Sequence, residues 1–362
     1  MENITHTFVG ATLGKLGLSR RVPLAGPALL VAANVADIDA FGWLIGKNYL
    51  DFHRGITHAL IGAAALSTAV AGLFHAVNLV RSRGAPVRPS FLQMWIVCLI
   101  GGMTHPAIDF LNDYGIRPWM PFDNTWRYGD LLSIADPWIW IILGSALCVL
   151  STSRAGRFAW GGFGCLLFTV VCLARSILYG VIWLSVLGAA LGLTYLVRQR
   201  GVSPVRVSLA VLVIYVAGLF AVRESIAYTA RTVAPSLIQG RIEKIHVLPG
   251  RPTASLPWTV VIEAPGRFYI ADVGLWDWTR HPPSFSSYER NLDNSCYRES
   301  LSQEQMAVMA RFARFPSVSV DTTGNVCTVW LRDLRYARRN AEEWGVAHAV
   351  VPLPQTPAQP AP

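Results

Sequence analysis

Six apolar runs approach the roughly 20 residues that a helix needs to cross a bilayer. They are Ala59 to Val80, Phe91 to Phe110, Ile134 to Leu150, Phe158 to Ala174, Ile177 to Val197 and Val207 to Val222. Hydrocarbon offers a backbone no water to bond, so each run has to satisfy its own N–H and C=O groups, as a helix does. Two shorter runs, Ile4 to Leu18 and Val22 to Ile45, flank Arg20 and Arg21 and suit a helical hairpin that spans incompletely or at a tilt. Composition agrees, since 52% of the 362 residues are hydrophobic and 15% charged, against about 25% charged in an ordinary soluble domain. Residues 1–223 therefore read as an all-α polytopic membrane domain of six spans plus an N-terminal hairpin. The first residues lack the basic stretch, apolar stretch and small-residue cleavage site of a signal peptide, so His6 is expected to be retained.

After Arg223 the apolar runs shorten and alternate with polar residues. Trp258 to Ile262, Arg267 to Ile270 and Cys327 to Leu331 suit strands. Leu301 to Phe315 reads as an amphipathic helix, with Ser302 and Gln305 as a capping box. Residues 224–351 are thus expected to form a small α+β extramembrane domain, and the proline-rich tail, 352–362, to be disordered. Cys296 and Cys327 are able to pair there, while Cys98, Cys148, Cys165 and Cys172 lie in apolar spans and behave as small hydrophobes.

Loops rich in Lys and Arg stay in the cytoplasm. Arg20 and Arg21, Arg81 with Arg83 and Arg88, Arg154 with Arg157, and Arg198 with Arg200 and Arg206 all fall on one face when the chain is threaded through its spans. The opposite face, with about half as many basic residues, receives the residues described next and the C-terminal domain. Both are expected to face outward, into the periplasm if the cell is Gram-negative. The net charge of +9 is accounted for by the cytoplasmic loops, and no nucleic acid partner is needed to explain it.

On that outer face the apolar half carries Thr5-His6, Asp37-Ile38-Asp39, the block from His53 to His58, and Thr104-His105 followed by Asp109. Such side chains are costly in apolar surroundings without a partner, and a shared divalent metal supplies one. His105 and Asp109, four apart on a helix, project from one face. Asp37 and Asp39 cannot share a helix face, so one is expected to meet the metal and the other to orient a ligand histidine. Arg54 suits a clamp on a substrate phosphate or carboxylate, or a salt bridge to Asp51 or Asp39. Asp136 suits either a general base or, before Pro137, the N-cap of a span. His75, in mid-span, is expected to pack or hydrogen-bond rather than bind metal.

These residues resemble a bacterial family of membrane-bound metal-dependent hydrolases, the YdjM-like proteins. The likeness rests on Thr5-His6 before a small-residue helix, Asp37 to Asp39 ending an apolar helix, the His-Arg-Gly-x-Thr-His block at 53 to 58, and His105, Asp109 and Gly115. Ala36 stands where the family usually has proline. The resemblance covers about residues 1–140 and implies a divalent metal, hydrolysis, and ligand roles for His6, Asp39, His53, His58, His105 and Asp109.

Mixed His and Asp donors suit Zn2+, with Mn2+ also compatible. A site at headgroup depth points to membrane lipids and to a lipid or phosphoester substrate. Two other classes fit the same residues: an ion or metal transporter, and a non-catalytic protein whose metal fixes its helices. Transporters often carry repeats and broken midplane helices, whereas these motifs gather at one end of the spans and no repeat is visible. The oligomeric state is not encoded in any pattern found.

Overall fold

A computed structural model describes residues 1–18, 22–81, 90–174, 177–238, 240–250, 258–274, 282–338 and 344–353. Arg20, Arg21, Arg83, Arg88, His281, Trp276, Trp278 and the tail from residue 354 lie outside them. The chain divides into two compact units, Met1–Asp39 with Arg54–Ala221, and Ala40–His53 with Val222–Pro362.

The first unit begins with α1 (Asn3–Leu13) and α2 (Ala25–Asn34), which tightens into a 3-10 helix over Val35–Ile45. A turn of 3-10 helix at Ile56–His58 leads into α4 (Leu60–Arg81), followed by α5 (Phe91–Phe110), α6 (Pro137–Val149), α7 (Arg154–Ala174), α8 (Ile177–Gln199) and α9 (Pro204–Leu237). The short helix α3 (Tyr49–Phe52) falls within the second unit, and the boundary between the units lies inside α9.

Among the described residues six helices are long and apolar enough to cross a membrane, and they differ in one member from the expected six. Ala25–Ile45 joins them, because α2 and its 3-10 extension run on without a break. The run from Ile134 to Leu150 yields only α6, whose 13 residues span about 20 Å against a hydrocarbon core of about 30 Å. Local chemistry sets its ends. Asp136 Oδ1 accepts from the N–H groups of Trp138 and Ile139 at 2.9 and 3.3 Å, and Pro137 occupies the first helical position. Beyond Leu150, Ser153 Oγ accepts from Gly156 N–H and starts α7 instead.

Helices in lipid associate through close van der Waals contact more than through water exclusion, which favours small residues between them. Ala28, Leu29 and Ala32 on α2 are fully buried with Ala71 on α4 and Met94 and Cys98 on α5. A Cβ on Gly10 of α1 would stand 2.9 Å from the Leu29 carbonyl oxygen, so α1 and α2 touch backbone to backbone. This close approach brings His6, Asp37 and His105 within reach of one another. His75 packs edge-on against Phe91, with centroids 5.5 Å apart.

The second unit holds two antiparallel sheets, as the alternating sequence leads one to expect. β1 (Lys244–Pro249), β2 (Trp258–Ala264), β3 (Arg267–Val273) and β4 (Ser286–Glu289) pair in chain order. After α10 (Ser295–Ser300) and α11 (Glu304–Phe312) come β5 (Pro316–Thr323), β6 (Val326–Asp333) and β7 (Val346–Pro352), again in chain order. Leu248, Val261, Phe268, Ile270, Phe315 and Leu334 form the core beneath β1 to β3. The expected capping box on α11 does not form. Gln303 is the N-cap and makes no side-chain cap bond, Ser302 Oγ donates back to the Glu299 carbonyl, and Gln305 Nε2 donates to the His348 carbonyl. Arg311 on α11 holds Asp51 of α3 through Nε and Nη2 at 3.3 and 3.2 Å.

Cys296 on α10 and Cys327 on β6 are joined by a disulfide across a separation of 31 residues. A loop of that length stabilises the folded unit by about 3 to 4 kcal/mol in the chain-entropy picture. The Cys296→Ser, Cys327→Ser double variant is expected to lower the unfolding temperature of residues 224–351 within the full chain, followed by hydrogen exchange; an unchanged profile would count against the bond.

Between β1 and β2, His246 Nε2 lies 2.6 Å from Glu263 Oε1, and Arg290 Nη2 donates to Glu263 Oε2 at 3.0 Å. The hydrogen bond from His246 holds the Glu263 carboxyl below the usual glutamate range, outweighing partial burial, which acts the other way. A carboxyl whose pKa is lowered by folding stabilises the fold above its unfolded pKa, and this contribution is lost as pH falls through the lowered value. Protection against hydrogen exchange in β1 and β2, taken relative to the intrinsic rate at each pH, should therefore fall on acidification in the full chain, and Glu263→Gln should flatten that response.

Candidate metal centre

The centre lies in the first unit, where α1, the end of α2, the turn before α4 and the end of α5 meet. His105 and Asp109 sit in the last turns of α5 and are fully buried. Their four-residue spacing brings both to one face, with His105 Nε2 3.6 Å from Asp109 Oδ2. Pro106 lacks an N–H, so the carbonyl four residues back loses its helical partner. His105 Nδ1 lies 2.7 Å from the Ala33 carbonyl oxygen. That acceptor assigns the proton to Nδ1 and leaves Nε2 with a lone pair for the centre.

His58 arrives from the other side. The backbone after α3 is kept from continuing as a helix: His53 is extended, Arg54 has a left-handed φ of 56°, and the chain resumes as the short turn Ile56–His58. Fully buried, His58 is read through both ring nitrogens. Nδ1 lies 3.1 Å from Asp39 Oδ2, which also accepts from Thr57 Oγ1 at 2.5 Å and from the Arg54 N–H at 3.0 Å. Nε2 lies 3.3 Å from Asp37 Oδ1, 3.4 Å from Asp109 Oδ2 and 3.1 Å from His105 Nε2. His105 Nε2 is in turn 3.4 Å from Asp37 Oδ1. Asn3 Nδ2 donates to Asp37 Oδ2 at 2.9 Å and fixes that carboxylate from α1.

Within the first unit, Asp37, Asp39 and His58, and His6, His105 and Asp109, are members of two groupings that have the donors to hold a metal ion. Asp37 Oδ1 lies near the Nε2 atoms of His58 and His105, while Asp39 Oδ2 lies at His58 Nδ1.

Arg54 is expected from the sequence to clamp a substrate anion or to pair with Asp51 or Asp39. Its guanidinium is buried, donating to Asp109 Oδ1 at 3.1 Å, Asn112 Oδ1 at 3.0 Å and the Gly115 carbonyl at 3.0 Å, and it stacks over Tyr114 at 4.5 Å. Asn112 is set for this by accepting from the N–H groups of Tyr114 and Gly115, a local turn that no spacing rule singled out. Asp51 pairs with Arg311 instead. Asp136 takes the helix-cap alternative, its second oxygen accepting from Tyr215 at 2.9 Å. His53 falls in the second unit, where it ends α3 and stacks on Tyr49 with centroids 4.6 Å apart. The Met1 amino group lies against Asp109 Oδ1.

Gly62 guards the position of His58. A Cβ there would stand 1.7 Å from the Ile56 carbonyl oxygen, a backbone atom with no rotamer to change. Gly62→Ala is expected to push the Ile56–His58 turn aside at a cost of about 1 to 3 kcal/mol. It should lower metal retention in purified protein, and retention equal to the wild type would argue that the turn does not position His58.

The sequence model of the YdjM inner membrane protein family matches residues 1–178. The chain is also 28% identical over 162 residues to the uncharacterized protein YfhP of Bacillus subtilis (strain 168), an alignment that takes in 41% of this chain and 46% of that protein. This chain thus covers less than half of the length of that relative. No solved structure matches. Residues 1–178, which carry every donor of the centre, are thus similar to the YdjM inner membrane protein family.

Proposed function

We propose that this protein is a membrane-embedded hydrolase that uses a divalent metal, with a lipid or phosphoester substrate at the extracytoplasmic membrane–water interface. The observation that carries the reading is the convergence of His58 Nε2, His105 Nε2, Asp37 Oδ1 and Asp109 Oδ2. Five of the six separations among these atoms lie between 3.1 and 3.6 Å. Donors about 2.0 to 2.2 Å from a tetrahedral Zn2+ stand about 3.3 to 3.6 Å from one another. Charge points the same way. Asp37, Asp39 and Asp109 bring three carboxylates to the centre, with the Arg54 guanidinium and the Met1 amino group lying against Asp109. A divalent cation would complement this carboxylate-rich cluster.

When bound, the metal would polarise a phosphoryl or acyl oxygen and lower the pKa of a coordinated water. The chain's own residues supply the rest. Asp39 and the Ala33 carbonyl hold the two imidazoles in one tautomer each, and Arg54 and Asn3 hold the two carboxylates. For sidedness, the disulfide favours an oxidising compartment for the second unit. Metal analysis of the purified protein beside His58→Ala and Asp109→Ala, with turnover on a panel of lipids and phosphoesters, tests the reading. A stoichiometric metal that the variants lose is expected; none in the wild type would sink it.

One observation favours a second reading, a metal that only ties helices together. Four protein donors already complete a tetrahedron, which is the pattern of closed structural sites. Full metal occupancy without turnover on any member of the panel would select this alternative.

A further inference from the structure

The four-donor set engages Oδ2 of Asp109 and leaves Oδ1 turned toward another buried side chain. His6 Nε2 stands 3.4 Å from that oxygen, and both side chains are fully buried. The His6 ring lies flat on His105, with centroids 3.7 Å apart and planes 12° apart. Among the described residues, neither ring nitrogen of His6 meets a hydrogen-bond partner. An imidazole buried in this state leaves its polar groups unsatisfied, which proteins avoid unless something else binds there.

Resting on the metal reading above, we propose that a second divalent cation binds between His6 Nε2 and Asp109 Oδ1, so that the Asp109 carboxylate bridges two cations, one on each oxygen. The separation of 3.4 Å suits one nitrogen and one oxygen donor on a tetrahedral cation, for which about 3.3 to 3.5 Å is expected. Arg54 takes one lone pair of Oδ1 at 3.1 Å, and an ionised carboxylate oxygen has another to give. The Met1 amino group, which lies against the same oxygen, is the positive group the cation would replace.

This second position also resolves the difficulty of a closed tetrahedron. With only two protein donors, it keeps coordination open to water and to a phosphoryl oxygen of the substrate, the clamp that carboxylate-bridged metal pairs provide. A phosphoester is accordingly favoured over a carboxylic ester as the substrate class.

The test uses the full chain in detergent, loaded with Mn2+, with metal content and electron paramagnetic resonance read together. The wild type is expected to hold a pair of ions per chain with an exchange-coupled spectrum. His6→Ala and the milder His6→Gln should each retain a single ion with the hyperfine pattern of isolated Mn2+, with circular dichroism and size exclusion checking that each variant folds. A wild type holding one uncoupled ion that neither variant loses would overturn this inference and leave the proposed function standing. A wild type holding no metal would overturn both.

Discussion

In the proposed metal centre, Asp37→Ala is expected to abolish metal retention, whereas Asp39→Asn should leave retention in place and weaken it by roughly 10 to 100-fold. The difference follows from which histidine nitrogen each carboxylate reaches. Asp37 Oδ1 stands 3.3 and 3.4 Å from the Nε2 atoms of His58 and His105, inside the shared space. Asp39 Oδ2 stands behind the His58 ring at Nδ1, where it fixes the tautomer and orientation and also gathers Thr57 and the Arg54 backbone. Removing a direct donor opens the tetrahedron and leaves a buried negative excess of the wrong size for the cation. Removing an outer acceptor leaves the donors present and merely less well aimed. Chelator competition on the purified variants measures both, and equal losses, or a larger loss from Asp39→Asn, would overturn the assignment.

Arg54→Ala is expected to be more damaging than loss of an exposed arginine, at about 3 to 5 kcal/mol, the usual consequence of breaking a buried ion pair from one side. Inside the first unit the guanidinium donates to Asp109, Asn112 and the Gly115 carbonyl, and its removal takes a buried positive charge from Asp109 and a donor from each of the other two. Lysine should not rescue it, because an ammonium cannot present a planar fork to a carboxylate, an amide oxygen and a carbonyl at once. Pairing Arg54→Ala with Asp109→Asn should restore part of the thermal stability in detergent, since the uncompensated carboxylate is then gone. A single variant that melts with the wild type would show that the pair contributes little. For contrast, the half-exposed pair of Arg311 with Asp51 should matter by no more than about 1 kcal/mol.

Much of this was legible because hydrocarbon leaves a chain few options. Apolar length announced the spans, and the cost of placing His and Asp among them announced the centre. The i, i+4 pair of His105 and Asp109 could be placed on one face from helical geometry alone. What stayed hidden depended on features without a period. The roles of Asp37 and Asp39 turn on the tightening of α2 into a 3-10 helix after Asn34, which no residue there dictates by propensity. The partners of Arg54 come from a loop nearly sixty residues further on, closed by the Asn112 turn. That α6 is short was written in Asp136 and Pro137, a helix start read correctly as one alternative, yet hydropathy alone carried the run past it. The membership of Ala40–His53 in the second unit is a matter of which surface it packs on, and sequence neighbours say nothing about that.

Asp37 and Asp39 address the two opposite nitrogens of a single imidazole, so the residue between them acts as a gauge for the width of the His58 ring. The Asp-x-Asp pattern is therefore a constraint on length as well as on charge. Inserting one small residue between the aspartates, with every functional side chain retained, should harm the centre as much as deleting a donor. Relatives that keep the centre are accordingly expected to vary Ile38 in kind and never in number.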